Sequence, residues 1–379
     1  MSKNLKKYIF LIFIFVSFVL PAFSIEEVVL EPENNLKLNL DYLSDVYYGR
    51  VENNEDVSPV LKLFSQKGLE FENSKINSVK ATFLFGQRMN YEHKQSQGQA
   101  FQNSFPVVEP MVTVKFNDNK SKFMVDYDIT RNLKGYSNEF TSRFSQLYVS
   151  HDVTPNQTIL LGQGGRLPSS YDGSRSVMGQ EMVLKSQLGR TFGNRRSVGI
   201  RNLAKYKYLD YDIGLYDSTQ YMKDFGNGFD FTGGVVVKPF GISEESAKNI
   251  RLGAGYSNGH NNISYNMYSV WASYDYKKFH IHTEYANSDG YNAVKESANK
   301  ADGIYSFVSY DLTPKIQLTG RVDNFVADRK KRNSYTNEYT AGVTYFPFKN
   351  MKLMLNYVKR VNSDTADSDM ILFATRFII

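Results

Sequence analysis

The stretch between Gly165 and Arg201 holds the densest group of side chains that could do chemistry. It contains seven basic residues and only two acidic ones, Asp172 and Glu181. The basic residues are Arg166, Arg175, Lys185, Arg190, Arg195, Arg196 and Arg201. A guanidinium group binds phosphate and carboxylate through a planar fork of N–H donors, so such a cluster suits oxyanions. The pattern predicts an element that attracts small anions.

Segments in which apolar and polar residues alternate surround this stretch. Sixteen of them can be counted: 78–91, 109–117, 121–131, 143–153, 157–164, 195–204, 206–218, 228–240, 249–259, 265–277, 279–288, 302–313, 315–327, 337–348, 351–360 and 369–379. Short turns follow the even-numbered segments, whereas longer polar stretches mostly follow the odd-numbered ones. An even strand number with alternating connection lengths is typical of a transmembrane up-and-down barrel. We therefore predict an all-β, antiparallel transmembrane β-barrel.

The two faces of each predicted strand differ in polarity. In "KIQLTGRVDNF", Ile316, Leu318 and Val322 fall on one face and Arg321 and Asp323 on the other. A soluble sandwich alternates too, but 27 Tyr, 27 Phe and the strand count favour a barrel with aromatic residues at its rims. The parity of the strands assigns Arg143, Arg201, Arg251, Arg321 and Arg376 to the lumen, together with Asp126, Asp128, Asp210, Asp212 and Asp323. It assigns Arg196 to the opposite face, near the rim.

Residues 1–24 have the features of a cleaved secretory signal peptide. Three lysines precede a 12-residue apolar run from Ile9 to Leu20, interrupted only by Ser17, and Ala22 and Ser24 occupy the −3 and −1 positions. Removing these lysines lowers the formal charge from +6 to +3, which argues against binding of nucleic acid. The chain has no Cys, so disulfides and thiolate metal sites are excluded.

The mature chain divides into two predicted parts. Residues 25–77 form a periplasmic extension or barrel-end element, and residues 78–379 form the barrel. An extra hairpin in 25–77 would give eighteen strands in place of sixteen. Residues 165–194 make a long connection after the fifth strand, which is expected to be functional because of its length. We expect this third outer loop to constrict the lumen.

Two further classes of protein to consider are enzymes and metal-binding proteins. Neither a Gly-x-Ser-x-Gly elbow nor a His-Glu-x-x-His helix is present. His280 and His282 share a strand face and could bind a metal, but Glu284 is their one nearby carboxylate on that strand. The sequence therefore predicts no enzyme, no cofactor and no metal site, and places both histidines on a polar surface or lumen.

The chain ends in alternating apolar residues, "DMILFATRFII". Phe373, Phe377 and Ile379 share one face with Ile371 and Thr375. We expect this segment to be the closing strand, whose edge the barrel assembly machinery captures by strand addition. Phe373, Phe377 and Ile379 are the predicted assembly signal.

Several stretches resemble the phosphate-selective porin O and P family of Gram-negative outer membranes. They are "NRRSVGIR" (194–201), "RLGAGYSNG" (251–259) and "YTNEYTAGVTYFPFKNMKLMLNYVKR" (335–360). The resemblance implies a sixteen-stranded homotrimeric barrel whose third loop folds inward and whose Arg and Lys side chains select anions. The chain departs from the family in "GGRLPSSYDG" after the fifth strand and in ending on Ile379 where the family has Phe. The first departure bears on phosphate specificity.

Together these features predict an outer-membrane porin, a diffusion channel for small solutes. The basic residues predict a weak anion preference, carried by Arg143, Arg166, Arg175, Lys185, Arg190, Arg195, Arg201, Arg251, Arg321 and Arg376. The inward carboxylates leave a non-selective or cation-leaning porin as the alternative. A barrel that only anchors surface loops is a third hypothesis. The expected partners are outer-membrane lipid, lipopolysaccharide, the barrel assembly machinery and the permeating solutes.

Overall fold

The structure is a computed structural model. It describes residues 69–378 except 72–74, 95–97, 132–139, 165–169, 176–177, 194–195, 219–227, 242–248, 262, 291–297, 332 and 349. The predicted signal peptide, most of the predicted extension and Ile379 therefore lie outside the described residues.

Seventeen strands and two short helices make up the described chain. The strands are β1 (Leu69–Glu70), β2 (Ile76–Lys94), β3 (Gly98–Phe116), β4 (Ser121–Arg131), β5 (Phe140–Thr154), β6 (Gln157–Gln163), β7 (Val198–Lys205), β8 (Leu209–Asp217), β9 (Phe229–Val237), β10 (Asn249–Asn261), β11 (Ile263–Tyr276), β12 (Phe279–Asp289), β13 (Lys300–Thr313), β14 (Ile316–Val326), β15 (Tyr335–Tyr345), β16 (Met351–Asn362) and β17 (Ser368–Ile378). The helices α1 (Tyr171–Ser174) and α2 (Gln187–Thr191) lie between β6 and β7.

Strands β2 to β17 form one closed antiparallel ring of sixteen strands. Each strand pairs with the next along the chain, and β17 closes the ring on β2 from Ser368 opposite Lys94 to Ile378 opposite Leu84. The prediction of a sixteen-stranded up-and-down barrel is confirmed. The eighteen-strand alternative is wrong, because pairing of β17 with β2 leaves no opening for a further hairpin. The two-residue strand β1 pairs with β2 at Ser78 and Val79, beyond the end of β17.

The first hairpin is longer than its sequence suggests. We expected "KQSQGQAFQNSF" to be an outer loop, but β2 and β3 continue through most of it, with Arg88 opposite Ser104 and Lys94 opposite Gly98. A strand that extends past an apolar layer into water has no need for an apolar face. Its polar composition therefore hides it from a search for alternation.

The alternation of the strands separates an apolar outer face from a polar inner one. On β14, Val322 is 55% exposed and points outward, whereas Arg321 is 6% exposed and points inward. Large aliphatic side chains such as Ile200, Leu215, Val270 and Ile304 continue the outer face around the ring. Exposed Tyr276 and Tyr345 lie near the end with the short turns, where Tyr274 stacks on Tyr276. An outward apolar band with aromatic residues at its rim suits a lipid bilayer.

No helix in the described part of the chain is both long and apolar enough to span a membrane.

The connection between β6 and β7 lies against the inner face of the wall. We call its described residues between 170 and 193 the inner segment. Ser170 and Ser186 cap its one-turn helices by accepting hydrogen bonds from the N–H groups of Gly173 and Gly189. Its helix α2 packs on β13 and β14. The inner segment therefore reduces the free cross-section of the barrel on that side.

Candidate functional site: the inner segment and the channel wall

Wall side chains accept hydrogen bonds from the backbone of the inner segment. Glu284 on β12 accepts from the N–H groups of Tyr171 and Asp172, at 2.9 and 3.3 Å. Asn356 accepts from Val183 N–H at 2.7 Å. Asp323 accepts from Gln187 N–H, also at 2.7 Å. One-turn helices leave most of their N–H groups without an internal partner, and Glu284 and Asp323 supply partners for some of them.

Cationic wall side chains bind the carbonyl oxygens of the same segment. Lys352 donates to Met178 O at 2.6 Å and also to Gln180 O. Arg321 donates to Leu184 O at 2.9 Å. Arg376 donates to Val183 O and to the side chain of Gln180. The predicted lumen residues Arg321 and Arg376 do point inward, but they are buried beneath the inner segment and hold it to the wall.

Two basic residues of the inner segment stabilise its own fold. Lys185 is buried and donates to the carbonyl oxygens of Gly173 and Arg175, at 2.6 and 3.1 Å. Arg175 forms an ion pair with Glu181. Burial alone would lower the pKa of Arg175, but the hydrogen bond and charge of Glu181 outweigh it and raise that pKa. Both cations are thus committed to local partners.

Apolar contacts complete the attachment of the inner segment. Leu188 and Phe192 are fully buried, and Phe192 packs on Phe325 with ring centroids 5.7 Å apart. Met182, Leu188 and Phe192 form one cluster with Met267, Ala286, Ala301, Tyr305, Phe307 and Phe325. Val183 forms a second cluster with Met354, Val358, Met370, Leu372 and Ala374. All of the wall residues in these clusters belong to β11–β17, which we call the segment-facing arc.

The two candidate metal-binding histidines occupy different surroundings. His282 lies beneath the Tyr171 ring, with centroids 3.8 Å apart. His280 lies nearer the short turns, between Asp275 and Asp311. Within the residues that the structure describes, no cluster of three or more His, Cys, Asp or Glu side chains could hold a metal ion.

Three guanidinium groups surround one carboxylate where α2 meets β14–β16. Glu338 is 1% exposed and lies 2.7 Å from Arg190, 2.7 Å from Arg360 and 3.9 Å from Arg321. Asp323 is the second acid there, 3.7 Å from Arg321. A cavity of about 280 Å³ opens beside this group and is lined by Gln187, Arg190, Thr191, Phe325, Thr336, Glu338, Arg360 and Asn362. Positive charge exceeds negative charge by one in this cluster.

Inward charges on β4–β10, which we call the paired-charge arc, bind one another across neighbouring strands. Arg201 pairs with Asp212, and Lys238 pairs with Asp210 at 2.6 Å. Arg143 lies 3.5 Å from Asp128. Arg143, Arg201 and the three acids form a mixed wall, as the parity of the strands predicts, whereas Lys238 follows the end of β9 and was not predicted.

The expectation that Arg196 lies on the outer face is wrong. Strand β7 begins at Val198, so the parity of that strand does not apply to Arg196. Arg196 is buried, donates to Ser145 O at 2.6 Å and lies 3.8 Å from Asp126. Arg196 precedes the strand, and its side chain points inward to Ser145 O and Asp126.

The remaining predicted residues differ in accessibility. The side chains of Arg143 and Arg251 are 44% and 41% exposed, the highest values among the predicted basic residues that the structure describes. Arg166 and Arg195 lie outside the described residues. Sequence reasoning missed Glu284, Lys352, Asn356 and Arg360. The alternation of β16 could have indicated Lys352, Asn356 and Arg360, because they share its inward face.

The closing strand presents its aromatic residues to the outside. Phe377 lies opposite Phe85 of β2 and Met351 of β16, and Phe373 lies opposite Met89 and Leu355. Arg376 and Ala374 point to the inside. The two predicted signal residues on β17 are therefore on its outer face.

Comparison with known proteins agrees with this geometry. The sequence model of the family "Phosphate-selective porin O and P" matches residues 213–377, which confirms the predicted resemblance over β8 to β17. A search of curated proteins finds no match.

Solved outer-membrane proteins share the fold at low sequence identity. The outer membrane channel DcaP of Acinetobacter baumannii superposes with a TM-score of 0.59 and 11% identity, over 82% of this chain and 99% of that one. OmpT of Vibrio cholerae in its trimer form gives a TM-score of 0.56 and 9% identity, over 80% of this chain and 100% of that one. A loop-deletion mutant of the same protein gives 0.59 and 9%, over 79% and 99%. The chain thus has the fold of an outer-membrane channel.

Proposed function

We propose that this chain forms a water-filled diffusion channel in a Gram-negative outer membrane and admits small hydrophilic solutes with a weak preference for anions. The closed barrel, its apolar outer band and the porin family match support a channel. The signal-like residues 1–24 support export, and the barrel then needs lipid, lipopolysaccharide and the assembly machinery as partners.

The charge around Glu338 is the observation that carries the anion preference. Arg190, Arg321 and Arg360 outnumber Glu338 and Asp323 by one charge, beside a cavity that the side chains of Arg190 and Arg360 reach. Low-dielectric walls focus the field of such an excess and enrich anions near it. The exposed Arg143 and Arg251 add to this field, although each has an acidic neighbour. The preference is therefore weak.

Reversal potentials in a planar bilayer across a potassium chloride gradient test this proposal. The protein should pass chloride more readily than potassium. Arg360→Gln should lower that permeability ratio about twofold. One charge within a few ångströms of the ion path changes the electrostatic energy of a passing ion by roughly RT. Arg329→Gln is the matched control. Arg329 lies in the connection after β14 and pairs with Asp302 of β13, and its loss should leave the ratio unchanged. A clear cation preference in the unmodified protein would overturn the anion proposal.

The same bilayer separates a channel from a barrel that only anchors surface loops. A channel gives discrete conductance steps, whereas an anchor whose lumen the inner segment blocks gives none. The absence of steps from protein that migrates on a gel as a folded, heat-modifiable barrel would contradict the channel.

We further propose a homotrimer as the assembled form. The similarity in fold to a protein solved in a trimer form supports this assembly. The outer face, rich in large apolar side chains, offers a surface for subunit contact as well as for lipid. Native mass measurement in detergent should give three copies of the mature chain, and a single copy would contradict the trimer.

A further inference from the structure

A row of polar side chains crosses five neighbouring strands on the inner face, near the short turns. Arg251 on β10 binds Asp275 on β11. The Nδ1 atom of His280 on β12 lies 3.1 Å from Asp275, and its Nε2 atom lies 3.1 Å from Asp311 on β13. Gln317 on β14 donates to the other oxygen of Asp311 at 2.9 Å. We call these five residues the mouth row.

We propose that His280 determines the ion selectivity of the channel at its short-turn end, through the charge that its imidazole contributes to the mouth row. A protonated imidazole carries two N–H donors and can bind both carboxylates at once. A neutral imidazole has one donor, so a lone pair then faces one of the two carboxylates. The observed contacts on both ring nitrogens therefore fit the protonated ring.

The charges of the mouth row change by one when His280 loses its proton. With His280 charged, Arg251 and His280 balance Asp275 and Asp311, so the row is neutral. With His280 neutral, the row has a net charge of −1. Rings of carboxylates favour cations, so this change shifts the mouth toward cation passage.

Among the described residues, the elements packed around His280 bring no charge other than Asp275 and Asp311 into contact with its ring. Ser309 lies opposite it on β13, and Asp275 lies opposite it on β11. In the adjoining turn, Lys277 lies over the outward Tyr276 ring and Lys278 is exposed. From the inner segment, Tyr171 covers the neighbouring His282 and leaves His280 on the side of the short turns. The His280 side chain is 31% exposed, so protons and ions can reach it.

Histidine is the side chain that ordinarily changes charge in the range accessible to channel recordings. Unlike the anion preference, this inference requires only that the chain conducts ions. It concerns the short-turn end of the barrel, whereas the excess of arginine lies beside α2.

Reversal potentials measured from pH 5 to pH 9.5 provide the test. The chloride-to-potassium permeability ratio of the unmodified protein should fall about twofold as pH rises, since one charge is lost beside the ion path. His280→Gln should hold the lower ratio at every pH. His280→Lys, which keeps a positive charge, should hold the higher one. Gel migration of the heat-modifiable form checks that both variants fold.

His260→Gln is the matched control, because His260 is exposed at the opposite end of the barrel and bonds to Ser264. It should follow the unmodified protein across the whole range. A pH-dependent ratio that persists in both His280 variants would overturn the inference while leaving the channel intact. So would a ratio independent of pH in the unmodified protein. A folded protein that carries no current would overturn the inference and the proposed function together.

Discussion

The two sides of the barrel differ in what their inward charges bind. On the paired-charge arc, an inward Arg or Lys binds an acid on a neighbouring strand, as Arg201 binds Asp212. On the segment-facing arc, some inward charges also pair with one another, as Arg360 does with Glu338, but others bind the backbone of the inner segment, as Arg321 binds Leu184 O. Only the segment-facing arc contributes to the two apolar clusters found among the described residues. The same alternating pattern therefore produces a wall that faces water on one side and a wall that binds the inner segment on the other.

This difference matters for selectivity. A cation that is buried against a carbonyl oxygen is removed from contact with solutes, although its charge still contributes to the field. Arg321, Arg376 and Lys185 are in this position. A count of the inward Arg residues therefore overestimates the number of cationic side chains that solutes can touch.

The largest effect is expected at the end of the segment-facing arc, where β17 closes the ring on β2. Phe377→Asp places a charge on the outer face of the closing strand, where we propose that the assembly machinery binds. Folded, heat-modifiable protein should be nearly absent from the outer-membrane fraction. Ile378→Asp adds the same charge one position along, on the other face, and should assemble. Normal insertion of Phe377→Asp would remove Phe377 from the proposed signal.

The next effect is expected from Glu284→Ala, which removes a main attachment on the segment-facing arc. Two buried N–H groups lose their acceptor, at about 2 kcal/mol each, so docking of the α1 end should weaken by about 4 kcal/mol. Single-channel recordings should show larger and noisier currents, and added protease should cut within the inner segment. Glu284→Gln, which keeps one acceptor oxygen, should lie between. Unchanged current and protease resistance would mean that Glu284 does not hold the segment.

A smaller effect is expected from Arg201→Met on the paired-charge arc. Removing one partner of a largely buried ion pair should cost about 3 kcal/mol of unfolding free energy in detergent. Because Asp212 is the side chain left unpaired, Arg201→Met/Asp212→Leu should recover most of that loss.

The matched pair of changes on the other side should behave differently. Arg321→Met/Asp323→Leu should recover little relative to Arg321→Met, because Leu184 O and Gln187 N–H both lose their wall partners. Equal recovery on both sides would contradict the distinction between the two arcs.

The smallest effect is expected in the turn between β3 and β4, outside both arcs. Hydrogen bonds from the side chain and backbone of Ser121, and from Lys120 N–H, lower the pKa of Asp118 to about 2. Because this pKa is below the usual value, the stabilisation is present above about pH 4 and disappears as pH falls through 2. Amide exchange in the turn should be faster in Asp118→Ala than in the unmodified protein at pH 5, and the difference should shrink near pH 2 and vanish at about pH 1. A difference that persists undiminished at about pH 1 would assign the effect to something other than this carboxylate.

The strands could be predicted from sequence because a strand has a short, fixed period. Predicted and observed bounds coincide for β4 at 121–131, and every other barrel strand overlaps its predicted segment. The failures have physical causes. Polar strand extensions carry no alternation, as in the first hairpin, and Arg196 lies just outside the strand whose parity was applied to it.

The sequence by itself determined which side chains face inward, because successive residues of a strand must point to opposite faces. It also determined the strand number and the excess of basic residues between Gly165 and Arg201. Only the tertiary structure decided which inward residues meet the inner segment, since those contacts join positions more than 100 residues apart, such as Tyr171 with Glu284 and Arg190 with Glu338. Closure of the ring brings these positions together, and no local pattern encodes that distance.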